Sequence, residues 1–416
     1  MRKQLTYLFI FTAITFSACK KTVTPSDGQA DKFTKIFGNY GLDVGSEVYQ
    51  TRDDGYIFVG TITTHTYGKD IAVIKTDKFG NEEWSKVYGD TLDDFGNSLK
   101  IVGNEYIVLG TTTDTTLSTN IYLLKLDALG NEIWSKTIGT PANEEGNDII
   151  ITSDNGFAIL GSTTAEEKII GPGGIDSIKN PLGSKDFYFV KTDANGNIEW
   201  AENYGANKEE FGTKVIQKSD GGYVIMGSSA SFEDSQYQSN SILAIVVNEN
   251  GAISGGFNTF GGSKNDFGND IVEVSDGFII LGTTSSFSSS GTATYVAKSN
   301  STLTDITWET SFGGGTSNDG GKALYIDEDE NIIIGGFTDE DGISKGLRDQ
   351  YLFKLSPAGT LDDTWGSTFG GSGNDIINSV YPTTDGGFVF IGTTDFENNQ
   401  MISLTKVDSE GKLANN

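Results

Sequence analysis

Short apolar runs recur along this chain with polar turns between them, and they follow one order. A strongly apolar run ends in Gly-Thr, as in Tyr106-Ile-Val-Leu-Gly110-Thr and Phe278-Ile-Ile-Leu-Gly282-Thr. A variable polar loop leads to a second run, Ile121-Tyr-Leu-Leu-Lys125, and then to the turn Asp127-Ala-Leu-Gly130-Asn131. A half-apolar run through Trp134 follows and closes on Ile138-Gly139. A polar loop with an acid then precedes a further run of the type Gly96-Asn-Ser-Leu-Lys-Ile. Runs this short, bounded by Gly, Asn and Asp, predict strands, and no segment keeps a helical period over helical length.

The whole pattern repeats. The five tryptophans, Trp84, Trp134, Trp200, Trp308 and Trp365, each stand four residues before an aromatic residue or Ile that is followed by Gly. Units begin at Phe37, Tyr88, Ile138, Tyr204, Phe260, Phe312 and Phe369 and run for roughly 48 to 66 residues, the length of one four-stranded propeller blade. The seventh unit stops after its third strand, near Lys406-Val-Asp408, while Phe33-Thr-Lys-Ile-Phe37-Gly38 forms an orphan fourth strand with Phe33 in the Trp position. A repeat divided between the two chain ends predicts a closed ring, since an open solenoid needs caps instead. The expected fold is all-β: a seven-bladed β-propeller of four-stranded antiparallel blades over residues 33–416, closed by the N-terminal strand.

Three further positions recur. The Trp residues and Phe33 are expected to dock between neighbouring blades. Blade four has no Trp, reading Ala252-Ile-Ser-Gly-Gly-Phe257, which marks its junction as the weakest. Lys75, Lys125, Lys191, Lys298, Lys354 and Lys406 share one register in the third strand, with Val246 in blade four, and predict cross-strand pairing with acids. An acid-x-Gly triplet opens the first strand at Asp43, Asp94, Glu144, Glu210, Asp266 and Asp319. Asp375 keeps the acid but has Ile377 for the Gly. The innermost strands line the channel, so these seven carboxylates are expected at one mouth of it. They either cap the backbone N–H groups of their own loops or hold a hydrated cation such as Ca²⁺. The same face should carry the long second-to-third loops, Ala165–Lys185, Ser231–Asn240 and Thr338–Asp349, and loops on a rigid scaffold are the usual place for binding.

The ends and the composition bear on compartment and chemistry. Met1-Arg2-Lys3 and the apolar Leu5–Phe16 read as a signal segment, too short to span a bilayer as a mature helix. Phe16-Ser17-Ala18-Cys19 resembles a bacterial lipoprotein signal, and that resemblance implies cleavage after residue 18 and fatty-acyl chains such as palmitate on Cys19. Residues 19–32 then form a flexible tether. The formal net charge of −28 leaves no basic face for nucleic acid. With a single Cys a monomer has no disulfide, and with a single His, His65, it has no His-based metal cluster. No phosphate-cradling Gly loop opens a helix.

The Asp-x-x-Gly-Asn-x-x-Trp motif with its following aromatic-Gly resembles the bacterial β-propeller repeat family of secreted and surface proteins, over residues 33–412. Its Asp-x-x-Gly-x-x-x-Trp part is similar to the tryptophan-docking motif of quinoprotein propellers, and the turns Thr51-Arg-Asp53-Asp-Gly55 and Thr383-Thr-Asp385-Gly-Gly387 are similar to sialidase Asp-boxes. Quinoprotein dehydrogenases use a vicinal disulfide or an equivalent clamp for their cofactor, and sialidases need three converging Arg; this chain has one Cys, and only two Arg remain in the mature chain. The resemblance therefore implies fold and compartment, with no cofactor. The expected function is a monomeric, non-catalytic binding or scaffolding module, lipid-anchored at the bacterial envelope, on the outer membrane. It would take an envelope protein or glycan on its loop-rich face. The competing expectation is a carbohydrate-active enzyme with an acidic pair, such as Asp94 and Asp266, at the channel mouth.

Overall fold

The structure, a computed structural model, describes residues 32–413 except 39–40, 65–67, 166–183, 233–238 and 398. The signal segment, Cys19, nearly all of the tether and His65 lie outside the described residues, as does most of the blade-three insertion.

Among the described residues, strands form seven four-stranded antiparallel sheets, the blades of a seven-bladed propeller. Six blades are meanders of consecutive strands. The seventh takes its outermost strand from the other end of the chain: Phe33–Phe37 lies antiparallel to Asn399–Val407, with Phe33 opposite Lys406 and Phe37 opposite Ile402. Four other blades use that register, with Trp84 opposite Lys75, Trp134 opposite Lys125, Trp200 opposite Lys191 and Trp308 opposite Lys298. The divided repeat closes the ring as its sequence requires.

The middle two strands of a blade are covered on both faces, which is why they read as continuous apolar runs; every residue of Phe157–Thr163 and Asp186–Thr192 is buried. The core lies between blades. One cluster joins Ile107, Leu109 and Leu123 of blade two to Ile149, Ile159 and Tyr188 of blade three.

Each tryptophan docks on a Gly-closed turn of the next blade, opened by Asp127, Asp193 or Asp408 in three blades, by Asn248 in one and by Ser356 in another. Gly130 has φ 75°, open to Gly at little cost, and a Cβ there would stand 2.7 Å from Trp84 Cζ3. The same relation holds for Trp134 on Gly196, Trp200 on Gly251, Trp308 on Gly359, Trp365 on Gly411 and Phe33 on Gly80. The Tyr that ends the strand adds a bond to that turn: Tyr88 Oη donates to Gly130 O and Tyr204 Oη to Gly251 O, each at 2.5 Å. At the junction of blades four and five the sizes are exchanged. Gly256 stands opposite Val246, in the Trp register, and the blade-five turn carries Leu303 where the others have Gly. Leu303 is 1% exposed and packs into the inter-blade core. The missing Trp is filled from the other side.

The third-strand lysines pair as their register predicts. Lys75 Nζ reaches Asp53 at 2.9 Å and Glu83 at 2.8 Å, and Lys191 reaches Asp154 at 2.8 Å and Glu199 at 2.9 Å. Lys406 pairs with Asp385 at 2.9 Å, Lys298 with Asp276 at 2.7 Å, Lys125 with Glu105 at 2.7 Å and Lys354 with Asp362 at 3.2 Å. In blade four, where Val246 replaces the Lys, Lys218 of the neighbouring turn pairs with Asp220 at 2.6 Å. Most of these acids sit in tight turns, so each pair ties a turn to the middle of its blade.

Candidate functional site: loop face and central channel

Inner strands begin where second strands end: Asp94 lies opposite Thr112, and Glu144 opposite Thr163. The loops between blades and the second-to-third loops, Thr338–Asp349 among them, therefore open on one face. The short turns and the start of the Phe33 strand lie on the other.

All seven acids sit at that loop-bearing end, each at 4% exposure or less. Their side chains turn under their own loops. Asp43 accepts from Thr63 N at 2.6 Å and Asp94 from Asp90 N at 2.9 Å. Glu144 accepts from Thr140 N and Thr163 Oγ1, both at 2.7 Å. Glu210 accepts from Ala206 N at 2.9 Å and Ser229 Oγ at 2.7 Å. Asp266 accepts from Gly262 N at 2.7 Å, Asp319 from Gly314 N at 2.6 Å, and Asp375 from Gly371 N at 3.0 Å. Burial pushes the carboxyls of Asp94 and Asp375 above the usual range. None of the seven lines the central cavity, and among the described residues no three His, Cys, Asp or Glu side chains are grouped to hold a metal ion. Alternation explains the placement: the acid shares its sheet face with the Gly two residues on, which presses on the preceding blade.

The residues that do face the channel come from a feature outside the sequence expectations. Every inner strand carries a β-bulge at one register, between Gly45 and Glu47, Gly96 and Ser98, Gly146 and Asp148, and so on to Ile377 and Ser379. A bulge inserts one unpaired residue and turns it out of the ladder. These residues are Ser46, Asn97, Asn147, Thr213, Asn269, Lys322 and Asn378, and all line a central cavity of about 360 Å³.

Charged groups alternate in sign around this cavity. Lys100 Nζ lies 2.6 Å from Glu47 Oε1, and Lys214 Nζ lies 3.5 Å from Asp148 and 3.9 Å from Asp270. Glu47 also accepts from Ser98 Oγ and Leu99 N, each at 2.6 Å, and from Tyr49 Oη at 2.7 Å. Burial pushes the Glu47 carboxyl up, but Lys100 and Lys214 outweigh it and hold it at about 2. A carboxyl held below its unfolded value stabilises the fold above pH 4.5 and loses that contribution as pH falls towards 2. This amounts to roughly 3 kcal/mol. Urea midpoints followed from pH 5 to pH 2 should fall, and Glu47→Gln should flatten that limb. A variant with an unchanged limb would remove Glu47 as its source.

These channel charges were legible only as departures from the repeat, because they occupy equivalent positions with different residues. No protein-family model matches the chain, and no curated protein matches its sequence. Its fold is similar to that of an acylaminoacyl peptidase from Pyrococcus horikoshii, at 12% identity over 89% of this chain and 53% of that one, TM-score 0.45. A sialidase from Trypanosoma rangeli matches at 10% identity over 91% and 60% of the two chains, TM-score 0.44. The quinohemoprotein alcohol dehydrogenase ADHIIG from Pseudomonas putida HK5 matches at 9% identity over 89% and 77%, TM-score 0.45. The chain spans about half the length of the peptidases it matches. At such identities the likeness is one of fold alone.

Proposed function

We propose that this chain is a non-catalytic binding or scaffolding module that works through its loop-bearing face, held at the bacterial envelope by acyl chains on Cys19. One observation carries the reading. The seven carboxylates that open the inner strands are inside, bonded to their loops, while large apolar side chains stand out on that face. Leu117 is 72% exposed, Leu347 64%, Leu42 58%, Phe396 47%, Phe287 44% and Phe267 41%. Apolar side chains exposed along that rim suit a protein surface or the apolar faces of sugar rings better than proton transfer. The N-terminal strand enters on the opposite face, so a tether there presents the loops away from the membrane. The basic start, the apolar Leu5–Phe16 and the lone Cys19 support the anchor.

The test is binding of the purified chain to separated envelope protein and polysaccharide fractions. Phe267→Ser with Phe287→Ser is expected to weaken retention at least fivefold with the melting temperature preserved. Equal retention of variant and parent would remove the face from the reading. Release of reducing sugar, abolished by Asp94→Asn or Asp266→Asn, would replace it with the carbohydrate-active alternative.

A further inference from the structure

Around the ring, two polar devices join each inner strand to the next. The bulged residue donates to a carbonyl of the following blade: Ser46 to Gly96 O at 2.6 Å, Asn97 to Gly146 O at 2.6 Å, and Asn147 to Gly212 O at 2.7 Å. Thr213 donates to Gly268 O at 3.0 Å, Asn269 to Gly321 O at 2.7 Å, and Asn378 to Gly45 O at 2.8 Å. At four junctions a hydroxyl ending the second strand also accepts the next inner Gly N–H, as Thr61 does from Gly96 at 3.1 Å and Ser228 from Gly268 at 3.1 Å.

Between blades six and seven both devices are replaced. Lys322 stands in the bulge, Phe337 in the hydroxyl position and Ile377 in place of the Gly. Lys322 lines the central cavity and, among the described residues, has neither an ion pair nor a hydrogen bond. Arg348, just ahead of the strand Asp349–Leu355, lays its guanidinium over the Phe337 ring at 4.9 Å, and no acid among the described residues pairs with it. Burial, and after it the Arg348 charge, pushes the Lys322 amine below the usual range. Gln350, 3% exposed, spans the same seam to Ser403 Oγ at 2.7 Å. Lys214, the other lysine that lines the cavity, lies 3.5 Å from Asp148, and Lys100 lies 2.6 Å from Glu47.

The chain holds 57 acids against 29 bases. Two neighbouring cations left without an acid in such a chain are costly twice over, through desolvation and through mutual repulsion. An anion between them removes both costs. We propose that the seam of blades six and seven binds a small organic anion, bearing a carboxylate or a phosphate, with Lys322 holding it from the central cavity and Arg348 from the loop-bearing rim. The volume of about 360 Å³ is at the small end of ligand pockets and fits a metabolite-sized molecule rather than a polymer. This site is separate from the apolar rim and stands whether or not the rim has a macromolecular partner.

The test uses the whole purified chain, melted at one ionic strength in chloride, citrate or inorganic phosphate. Citrate or phosphate is expected to raise the melting temperature by several degrees over chloride, saturably, through binding to the folded state. Which of the two is effective identifies the group recognised. Lys322→Met should abolish the rise and should itself melt higher than the parent in chloride, since it removes the repulsion. Arg348→Gln, at the rim, should weaken the response at least threefold, and it decides alone if Lys322→Met does not fold. Equal melts in the three salts, or a response surviving Arg348→Gln, would overturn the site. Retention of envelope fractions by the same samples shows separately whether the loop face binds.

Discussion

Removing Phe33–Phe37 should lower the melting temperature by about 5–10 °C and turn a reversible transition into aggregation. The five residues supply the whole outer strand of blade seven, paired along Ile402–Lys406. Phe33 meets Tyr56 edge-on at 5.8 Å and Phe37 meets Phe58 at 5.1 Å, so the strand also packs on blade one. Losing two half-buried aromatic side chains costs about 3–6 kcal/mol, the lower part of what truncating two fully buried ones would cost. The deletion also uncovers Asn399–Val407, a long strand edge able to pair with another copy. Scanning calorimetry with light scattering reads both effects. An unchanged melt without scattering would mean that the ring is held closed by its inner strands and not by the outermost one.

Much of this architecture was legible because the repeat gives seven samples of each position. Trp and Phe33 share one register, so a docking role followed from the letters alone, as did closure from the divided unit. The way the fourth junction is filled was hidden for a plain reason. Gly256 was visible as a missing Trp, but Leu303 lies nearly fifty residues on, in a turn that reads Asn300-Ser-Thr-Leu303 rather than Asp-x-x-Gly. Only the packing of blade four on blade five pairs the two changes. The channel was hidden by the bulges. Strict alternation puts the residue after Gly45, Gly96 or Gly146 on the opposite sheet face, whereas the bulge turns it into the channel. The repeated acids attracted attention by their regularity, and regularity marked the loops they hold. The seam with Lys322 and Arg348 is irregular, and of its departures from the repeat only Ile377 in place of Gly stood out in the sequence.

The exchange of large and small residues between blades gives the sharpest test of how the ring is held. Trp84→Gly should cost about 3–5 kcal/mol, from lost burial against Gly130 and from a cavity the stiff sheets cannot close. Gly130→Leu should cost a similar amount for the opposite reason, because its side chain meets the Trp84 ring and its backbone is held at φ 75°. Together the two changes recreate the arrangement of Gly256 and Leu303, where a Leu at φ 59° is buried at a junction with no Trp. The double variant should therefore be more stable than the sum of the singles by about 2 kcal/mol, within the usual range for contacting residues. Urea midpoints of the four proteins, taken with unchanged slopes, measure that coupling. Additive losses would mean that Leu303 fills its junction through neighbours particular to blades four and five. A positive coupling would make side-chain volume across the seam, rather than the indole ring itself, what each junction conserves.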